Sequence, residues 1–466
     1  MNHVKTRFAP SPTGFLHIGN VRTALFNVLY ARKMQGTFLL RIEDSDLERS
    51  EGQFVAALLE DMRWLGLAPD EGPRSAEPDV AFYQSQRLAI YQEYYQRLEM
   101  NGLAYPCFCT PRELELSRKA QLSAGKPPRY SGKCAHLKPE EVIAKQTQGL
   151  QPTLRFRVAT DQYVRFTDWV RGPQQFATND IGDFIIRRAN GVPAFFFCNA
   201  IDDALMGVTH VLRGEDHLTN TPRQILLLDA LGLPIPQYGH ISLILGDDGA
   251  PLSKRNGSQS IQEMRAKGYF PEAIVDLLAR LGHYYADDSL SGLEDLAAQF
   301  QLENLGKSPA RFDAAQLKHW QQHALQHASD ERLWQWLPET VRTQVPETAR
   351  AAFLDIVRSN CLFPDDAALW SEVLFGETIS LSTEASQAIV QAGPGYFQHA
   401  LTACREQPSD YAQFLQRLKQ LTGCQGKSLF QPLRAALTGR FDGPEIVKIY
   451  TLLDGERTQR RFARYA

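Results

Sequence analysis

No stretch of this 466-residue chain approaches the roughly 18 uninterrupted apolar residues of a membrane-crossing helix, so none is expected. The opening Met1-Asn2-His3-Val4-Lys5-Thr6-Arg7 has no apolar core, so no export signal is expected either. The seven cysteines are odd in number and unevenly spread. They make no disulfide framework and suit a reducing compartment, which points to the cytoplasm. An excess of positive charge is also missing. The 50 Lys and Arg against 53 Asp and Glu leave a net charge of −3, so contact with nucleic acid must rest on local basic patches. Neither common glycine-rich phosphate loop occurs. What remains is an ordinary globular composition, 43% hydrophobic and 22% charged. The length suits about two to four domains.

The most informative stretch is Arg7-Phe-Ala9-Pro-Ser11-Pro-Thr-Gly14-Phe-Leu-His17-Ile-Gly19-Asn20. Val4 to Ala9 reads as a strand, Pro10, Pro12 and Gly14 as a non-helical turn, and Val21, Leu25, Val28 and Leu29 as the start of a helix. A helix N-terminus attracts phosphate through free N–H groups and the positive end of its dipole. Gly19 allows close approach of an anion, and His17 can donate to it. Many α/β proteins carry such a turn without a ligand, so the pattern alone leaves both readings open.

Gly36 stops the helix and Thr37 to Ile42 reads as a buried strand, giving a βαβ opening and hence a parallel sheet. Glu43-Asp44-Ser45-Asp46 follows at the carboxyl end of that strand, where ligands bind in open α/β sheets. Phe54 to Leu65 and Gln84 to Met100 read as amphipathic helices. Next come Cys107-Phe-Cys109 and, after 24 intervening residues, Cys134-Ala-His136. Two short pairs supplying three thiolates and an imidazole predict a closed, structural zinc site. Arg112, Arg118, Lys119, Lys126, Arg129, Lys133 and Lys138 make this segment basic, as a solvated face or as a phosphate-backbone contact. Strands are expected at Leu154–Val158, Tyr163–Thr167, Phe184–Arg187 and Val208–Leu212, with a turn over Asp180–Asp183. Phe195 to Phe197 reads as core, and Arg213 as leaving the end of the last of these strands. Glu215, Asp216 and His217 could line a site or cap the next helix. Two arginines and a glutamate at one sheet edge would suit an amino dicarboxylic acid, each carboxylate taking an Arg fork. Gly246 to Gly257 is a loop with adjacent cations at Lys254 and Arg255. Beyond Ile261 the pattern turns helical to the end. His319, His323 and His327 share one helix face, read as polar surface rather than a metal site, and Arg457, Arg460, Arg461 and Arg464 form a basic tail.

These stretches together resemble the class I aminoacyl-tRNA synthetases. His17-Ile18-Gly19-Asn20 is similar to their first signature, His-Ile-Gly-His, with Asn20 at the fourth position. Pro251-Leu252-Ser253-Lys254-Arg255 resembles the second, Lys-Met-Ser-Lys-Ser, in its Lys-Leu-Ser-Lys-Arg form, with Pro251 for the first lysine. Arg7 to Gly14 resembles the bacterial glutamyl-tRNA synthetase branch, and the likeness runs over essentially the whole chain.

The resemblance implies an α/β fold: a Rossmann-like parallel-sheet catalytic domain with a zinc-containing insert, then an all-α anticodon-binding region. The implied division is 1–100, first half of the catalytic domain; 101–189, acceptor-stem-binding insert; 190–258, second half; 259–325, helical stem-contact domain; 326–466, helical anticodon-binding domain. The implied reaction joins L-glutamate to tRNA(Glu) through glutamyl-adenylate, using ATP with Mg²⁺, in a monomer. A non-discriminating or tRNA(Gln)-preferring form is the near alternative. Implied glutamate contacts are Arg7, Ala9, Ser11, Glu43, Phe195 and Arg213. Implied ATP contacts are His17, Gly19, Asn20, Ser253, Lys254 and Arg255, with His17 and Lys254 catalytic. The likeness also assigns zinc to Cys107, Cys109, Cys134 and His136. Phe195 stands where the family usually has tyrosine, so one hydroxyl contact is lost. A paralogue that glutamylates queuosine lacks a C-terminal anticodon module, and the long helical end argues against it. A non-catalytic tRNA-binding protein is the rival of another class, and the retained His17 and Lys254 argue against that.

Overall fold

The computed structural model describes residues 3–45, 51–125, 127–246, 248–252 and 259–466. It divides into two compact units: Met1–Met264 with Ile274–Ala314, and Arg265–Ala273 with Ala315–Ala466.

The first unit opens with β1 (Lys5–Phe8), α1 (Ile18–Lys33) and β2 (Thr37–Leu40). β1 and β2 pair in parallel, Arg7 beside Leu39, so the predicted βαβ opening is present. α1 is buried nearly all round, as a helix covered by a sheet must be. It ends where Gln35 turns to φ 49° and Gly36 follows; a Cβ at Gly36 would meet the Val4 carbonyl oxygen at 2.2 Å, so only glycine fits. α2 (Gly52–Trp64) and α3 (Leu88–Met100) follow.

The next segment carries β3 (Ala104–Cys107), α4 (Pro111–Ser123), α5 (Pro139–Thr147), β4 (Thr153–Phe156), β5 (Tyr163–Asp168), β6 (Gly172–Ala177), α6 (Thr178–Ile181) and β7 (Phe184–Arg187). β3, β4 and β7 form an antiparallel sheet, and β5 and β6 a hairpin. Where a turn was expected over Asp180–Asp183, α6 runs into Gly182 at φ 61°. Then come α7 (Phe195–Leu205), β8 (His210–Gly214), α8 (Thr221–Leu231), β9 (Gln237–Ile241) and β10 (Ile244–Leu245). β8 and β9 are parallel, with Arg213 beside His240, and β8 lies along β1, where Thr209 N–H donates to Lys5 O at 2.9 Å. Arg213 thus sits inside a strand rather than beyond its end. One core serves all three stretches of sequence: Tyr91 and Leu98 pack with Leu154, Phe156 and Phe184 and with Phe197, Ile201 and Leu227. The Phe195–Phe197 run is the first turn of α7, and the helical turn splits it: Phe197 is fully buried while Phe195 is half-exposed.

Helices α9 (Ile261–Lys267), α10 (Pro271–Arg280) and α11 (Leu293–Gln299), β11 (Ala310–Arg311) and α12 (Ala314–His327) lead on. β11 pairs in parallel with β10.

Past α12 the second unit is all helix: α13 (Asp330–Trp336), α14 (Glu339–Gln344), α15 (Arg350–Asn360), α16 (Pro364–Phe375), α17 (Thr383–Glu406), α18 (Tyr411–Thr422), α19 (Lys427–Thr438), α20 (Ile446–Leu452) and α21 (Asp454–Ala463). α17 breaks at Gly393, φ 72°, with Pro394 next, because proline cannot continue the hydrogen-bond ladder. Phe414 is the hub of the core, stacked on Tyr450 at 4.6 Å and on Phe462 at 5.9 Å. Arg461 of the basic tail is buried and donates to the Leu437 and Val373 carbonyls, so it is a structural group and not part of a solvated face. His319 and His327 are exposed on α12, and no metal-holding group among the described residues includes them. No helix of the described residues is long and apolar enough to cross a membrane.

Candidate functional site

The carboxyl ends of β1, β2 and β8 open onto a cavity of about 450 Å³. Arg7, Ala9, Ser11, His17, Gly19, Asn20, Glu43, Phe195 and Arg213 all line it. Residues more than 200 positions apart therefore meet, as a dicarboxylate site requires. Ser253, Lys254 and Arg255 lie outside the described residues. The chain on both sides of them is held at the cavity: Leu252 lines it, and Ser260 bridges to His17 while Ile261 N–H donates to Leu16 O at 2.9 Å.

Beneath the cavity floor is a buried charge cluster. Arg41 is fully buried in β2's continuation, 2.7 Å from Asp203, 3.4 Å from Glu43 and 4.0 Å from Asp202. Asp203 also takes Arg7 Nε at 3.3 Å, and Asp202 takes Arg87 at 2.8 Å and the Tyr91 hydroxyl at 2.6 Å. Burial alone would raise the Asp203 carboxyl, but Arg7 and Arg41 outweigh it and hold it below its ordinary value. Glu43 accepts from Asn199 and is pushed up to about 7, burial outweighing Arg41 and Arg7. Its proton is thus poised to leave when a cation arrives. Arg41, Asn199, Asp202 and Asp203 had no assigned role in the sequence reading. The available signal was an arginine inside the apolar run Thr37–Ile42, which has to be paired once buried.

Arg213 is buried and held on two sides. Its Nε donates to His240 Nε2 at 3.1 Å, and its Nη2 to Thr221 at 2.8 Å and Gln224 at 2.7 Å. Nη1 has no acceptor among the described residues. A buried guanidinium with one unused nitrogen beside a cavity is a site for an incoming carboxylate. Burial, with Arg7 close by, lowers its pKa to about 10, which leaves it charged at neutral pH.

His17 caps α1 with extended backbone (φ −120°, ψ 164°) and no side-chain cap bond. A Cβ on Gly19 would lie 3.2 Å from its ring, so Gly19 makes room for the imidazole itself. Phe195 stacks on His217 at 5.1 Å and 27°. Burial brings His217 down to about 4, so this wall is an uncharged aromatic pair at neutral pH. His217 and Asp216 both line the cavity.

Phe195 also lines a neighbouring groove of about 710 Å³ with Arg118, Arg129, Arg188, Arg223 and Phe184. Arginines among aromatic rings suit unstacked nucleotides. Beside the groove, the Cys107, Cys109 and Cys134 sulfurs lie within 4.8 Å of one another. His136, the implied fourth ligand, is exposed and lies outside that group. Tyr130 stands there instead: its hydroxyl is 3.4 Å from Cys107 Sγ and 3.6 Å from Cys109 Sγ, and accepts from Cys134 N–H at 2.8 Å. Burial raises the Cys107 thiol, but its hydrogen bonds with Tyr130 and Arg155 outweigh that and bring it to about 7. Burial and the neighbouring Cys107 push the Cys109 thiol up to about 11, so without a metal the thiols resist ionising together; three sulfurs in so tight a group fit a zinc ion, whose charge favours the thiolates.

The family described as tRNA synthetases class I (E and Q), catalytic domain, matches residues 3–319, and an anticodon binding domain matches 314–466. The chain is 59% identical to glutamate–tRNA ligase 1 of Methylococcus capsulatus over 465 residues, covering 100% of this chain and 99% of the relative. The chain belongs to the class I glutamate–tRNA ligases. Glutamate–tRNA ligase 2 of Nitrosococcus oceani is 56% identical, over 98% of this chain and 97% of its own. The crystal structure of a glutamate tRNA ligase from Elizabethkingia meningosepticum, in complex with its amino acid, superposes with a TM-score of 0.88 at 28% identity, covering 99% of each chain. For a ligase of this family, the α/β first unit and the helical end are the expected catalytic and anticodon-binding parts.

Proposed function

We infer that this ligase joins L-glutamate to tRNA through a glutamyl-adenylate formed in the 450 Å³ cavity. The observation that carries the reading is the buried Arg213 Nη1, which has no acceptor among the described residues, on a side chain lining the same cavity as Arg7, Glu43 and His17. Arg213 and Arg7 take the two carboxylates of glutamate, and ionised Glu43 takes its ammonium. Ala9 and Ser11, on the turn after β1, and the Phe195 ring close the pocket around the side chain. ATP, as its Mg²⁺ complex, lies over the α1 N-terminus against His17, Gly19 and Asn20. Ser253, Lys254 and Arg255 of the second signature supply its remaining contacts. The α-carboxylate oxygen attacks the α-phosphorus, the bond to the β-phosphate oxygen breaks, and pyrophosphate leaves. Lys254 and His17 stabilise the charge that develops. A hydroxyl of the terminal adenosine then attacks the glutamyl carbonyl and AMP departs. No protein nucleophile is needed, so positioning carries the rate.

The basic, aromatic groove beyond Phe195 receives the acceptor end of the tRNA. Cys107, Cys109 and Cys134 would hold a structural zinc, with Tyr130 as fourth partner in place of His136. A zinc there would brace the segment between Cys109 and Cys134, which carries Arg118 on α4 and Arg129 beyond it. The working division is 1–100 and 190–258 for the catalytic halves, 101–189 for the acceptor-stem insert, 259–325 for stem contact and 326–466 for anticodon binding. The enzyme acts as a cytoplasmic monomer. Aminoacylation with pure tRNA(Glu) and pure tRNA(Gln) side by side tests the reading and separates a discriminating from a non-discriminating ligase. No charging of either tRNA would overturn it.

A further inference from the structure

We propose that Asp168 and His240 are positioning residues for the glutamate-binding Arg213, Asp168 fixing the imidazole tautomer that accepts the guanidinium Nε–H. The proposal rests on the reading of Arg213 as the carboxylate receptor.

Neither Asp168 nor His240 lines the cavity. Both side chains are completely buried, with His240 Nδ1 2.6 Å from Asp168 Oδ2. Asp168 ends β5 and its other oxygen is already committed, accepting from the backbone N–H of Val170 at 2.9 Å, Arg171 at 2.8 Å and His240 at 3.1 Å. An ionised carboxylate only accepts, so His240 Nδ1 carries the hydrogen. A neutral imidazole protonated there leaves Nε2 as a bare acceptor. Facing Nε2 at 3.1 Å is Arg213 Nε, which can only donate. The Thr221 hydroxyl completes the arrangement, donating to Nε2 at 3.1 Å and accepting from Arg213 Nη2 at 2.8 Å. Register makes this possible, because His240 and Arg213 are neighbours across the β8–β9 pair. An imidazolium would set a second cation against Arg213; burial and Arg213 favour the neutral ring, against the pull of Asp168. With Nε and Nη2 satisfied from behind, Nη1 is the nitrogen left for the substrate.

Asp168→Asn tests this without changing shape. The amide oxygen keeps the backbone bonds, while its N–H meets Nδ1 and drives the imidazole proton to Nε2, against Arg213 Nε–H. In the full-length enzyme with tRNA present, glutamate-dependent ATP–pyrophosphate exchange should show the glutamate KM raised about tenfold. The ATP KM should stay near wild type, while the thermal midpoint falls by a few degrees because two buried donors then face each other. Nitrogen-15 NMR should find His240 protonated at Nδ1 in the wild type and at Nε2 in the variant. His240→Gln, which can offer an amide oxygen to Arg213, should be milder than His240→Phe, and this pair decides the matter if Asp168→Asn fails to fold. A glutamate KM within twofold of wild type in Asp168→Asn, equal damage to the ATP KM, or wild-type His240 protonated at Nε2 would each overturn the proposal. Arg213→Ala separates the two levels. If it leaves the glutamate KM unmoved, the carboxylate reading fails; if it raises the KM while Asp168→Asn does not, only the relay fails.

Discussion

Replacing Arg41 by methionine should destabilise the first unit and weaken glutamate binding, by amounts the buried cluster sets. Arg7, Arg41 and Arg87 face Glu43, Asp202 and Asp203, so the charges balance within the cluster. Arg41 has no exposed side-chain surface and touches all three carboxylates within 4.0 Å. Methionine fills much of the space but leaves one buried negative charge without a partner. Removing one member of such a pair typically costs about 3–5 kcal/mol. Glu43 offers partial relief, since it is already held near 7 with Arg41 present and rises further without it. The variant therefore takes up a proton, and its deficit should shrink by as much as about 1.4 kcal/mol per pH unit on acidification toward that pKa. At pH near 8 the thermal midpoint should fall by about 10 °C, and by less at pH near 6. Adding Glu43→Gln should return part of the loss by removing the stranded charge. Differential scanning fluorimetry on Arg41→Met, Glu43→Gln and the double variant measures every term. A midpoint within about 2 °C of wild type at pH 8, or a deficit that does not change with pH, would refute the reasoning.

The Glu43 carboxyl, raised from 4.5 to about 7, gives glutamate binding a pH dependence. The ammonium needs the ionised form, so the glutamate KM should fall as pH rises from about 6 to about 8, and Glu43→Gln should abolish that slope. Stability runs the other way: the folded state holds this proton more tightly than the unfolded chain, so its contribution is present at low pH and is lost between 4.5 and about 7. Gly19→Ala should push the His17 ring aside and lower kcat of pyrophosphate exchange about tenfold, with the glutamate KM held; an unchanged kcat would remove His17 from the chemistry. Metal analysis of purified protein should find zinc lost in Cys134→Ser and reduced in Tyr130→Phe but kept in His136→Ala, and the reverse pattern for the last two would reinstate the histidine.

Local patterning made much of the first unit legible. The Pro-Gly turn before Ile18, the apolar run Thr37–Ile42 and the strand at Phe184–Arg187 all stand where spacing put them, because each is governed by neighbours in sequence. Less legible were features decided across the chain. Which arginine nitrogen remains open depends on His240, Thr221 and Gln224, and no spacing rule links those positions to Arg213. His136 satisfied a ligand-spacing rule and still falls outside the thiol group, since the loop puts Tyr130 there. The aromatic run Phe195–Phe197 carries no phase in sequence; only the helix start shows that Phe195, an implied glutamate contact, lines the cavity while Phe197 is core. At Gly19 the nearest atoms a side chain would strike belong to His17, a contact that no spacing rule shows.

The β5–β6 hairpin has a consequence for how such ligases can be recombined. Asp168 belongs to the segment 101–189 but secures an arginine of the segment 190–258, and Trp169 N–H donates to Tyr238 O at 2.9 Å in the same place. Phe184 and Leu154 share one core with Tyr91 and Phe197. A chimera that imports this segment from a relative must import an acid at 168 matched to a histidine at 240, or the recipient's own amino-acid pocket is disarmed from behind. The seam visible in the sequence is therefore not the seam along which the protein can be cut and rejoined.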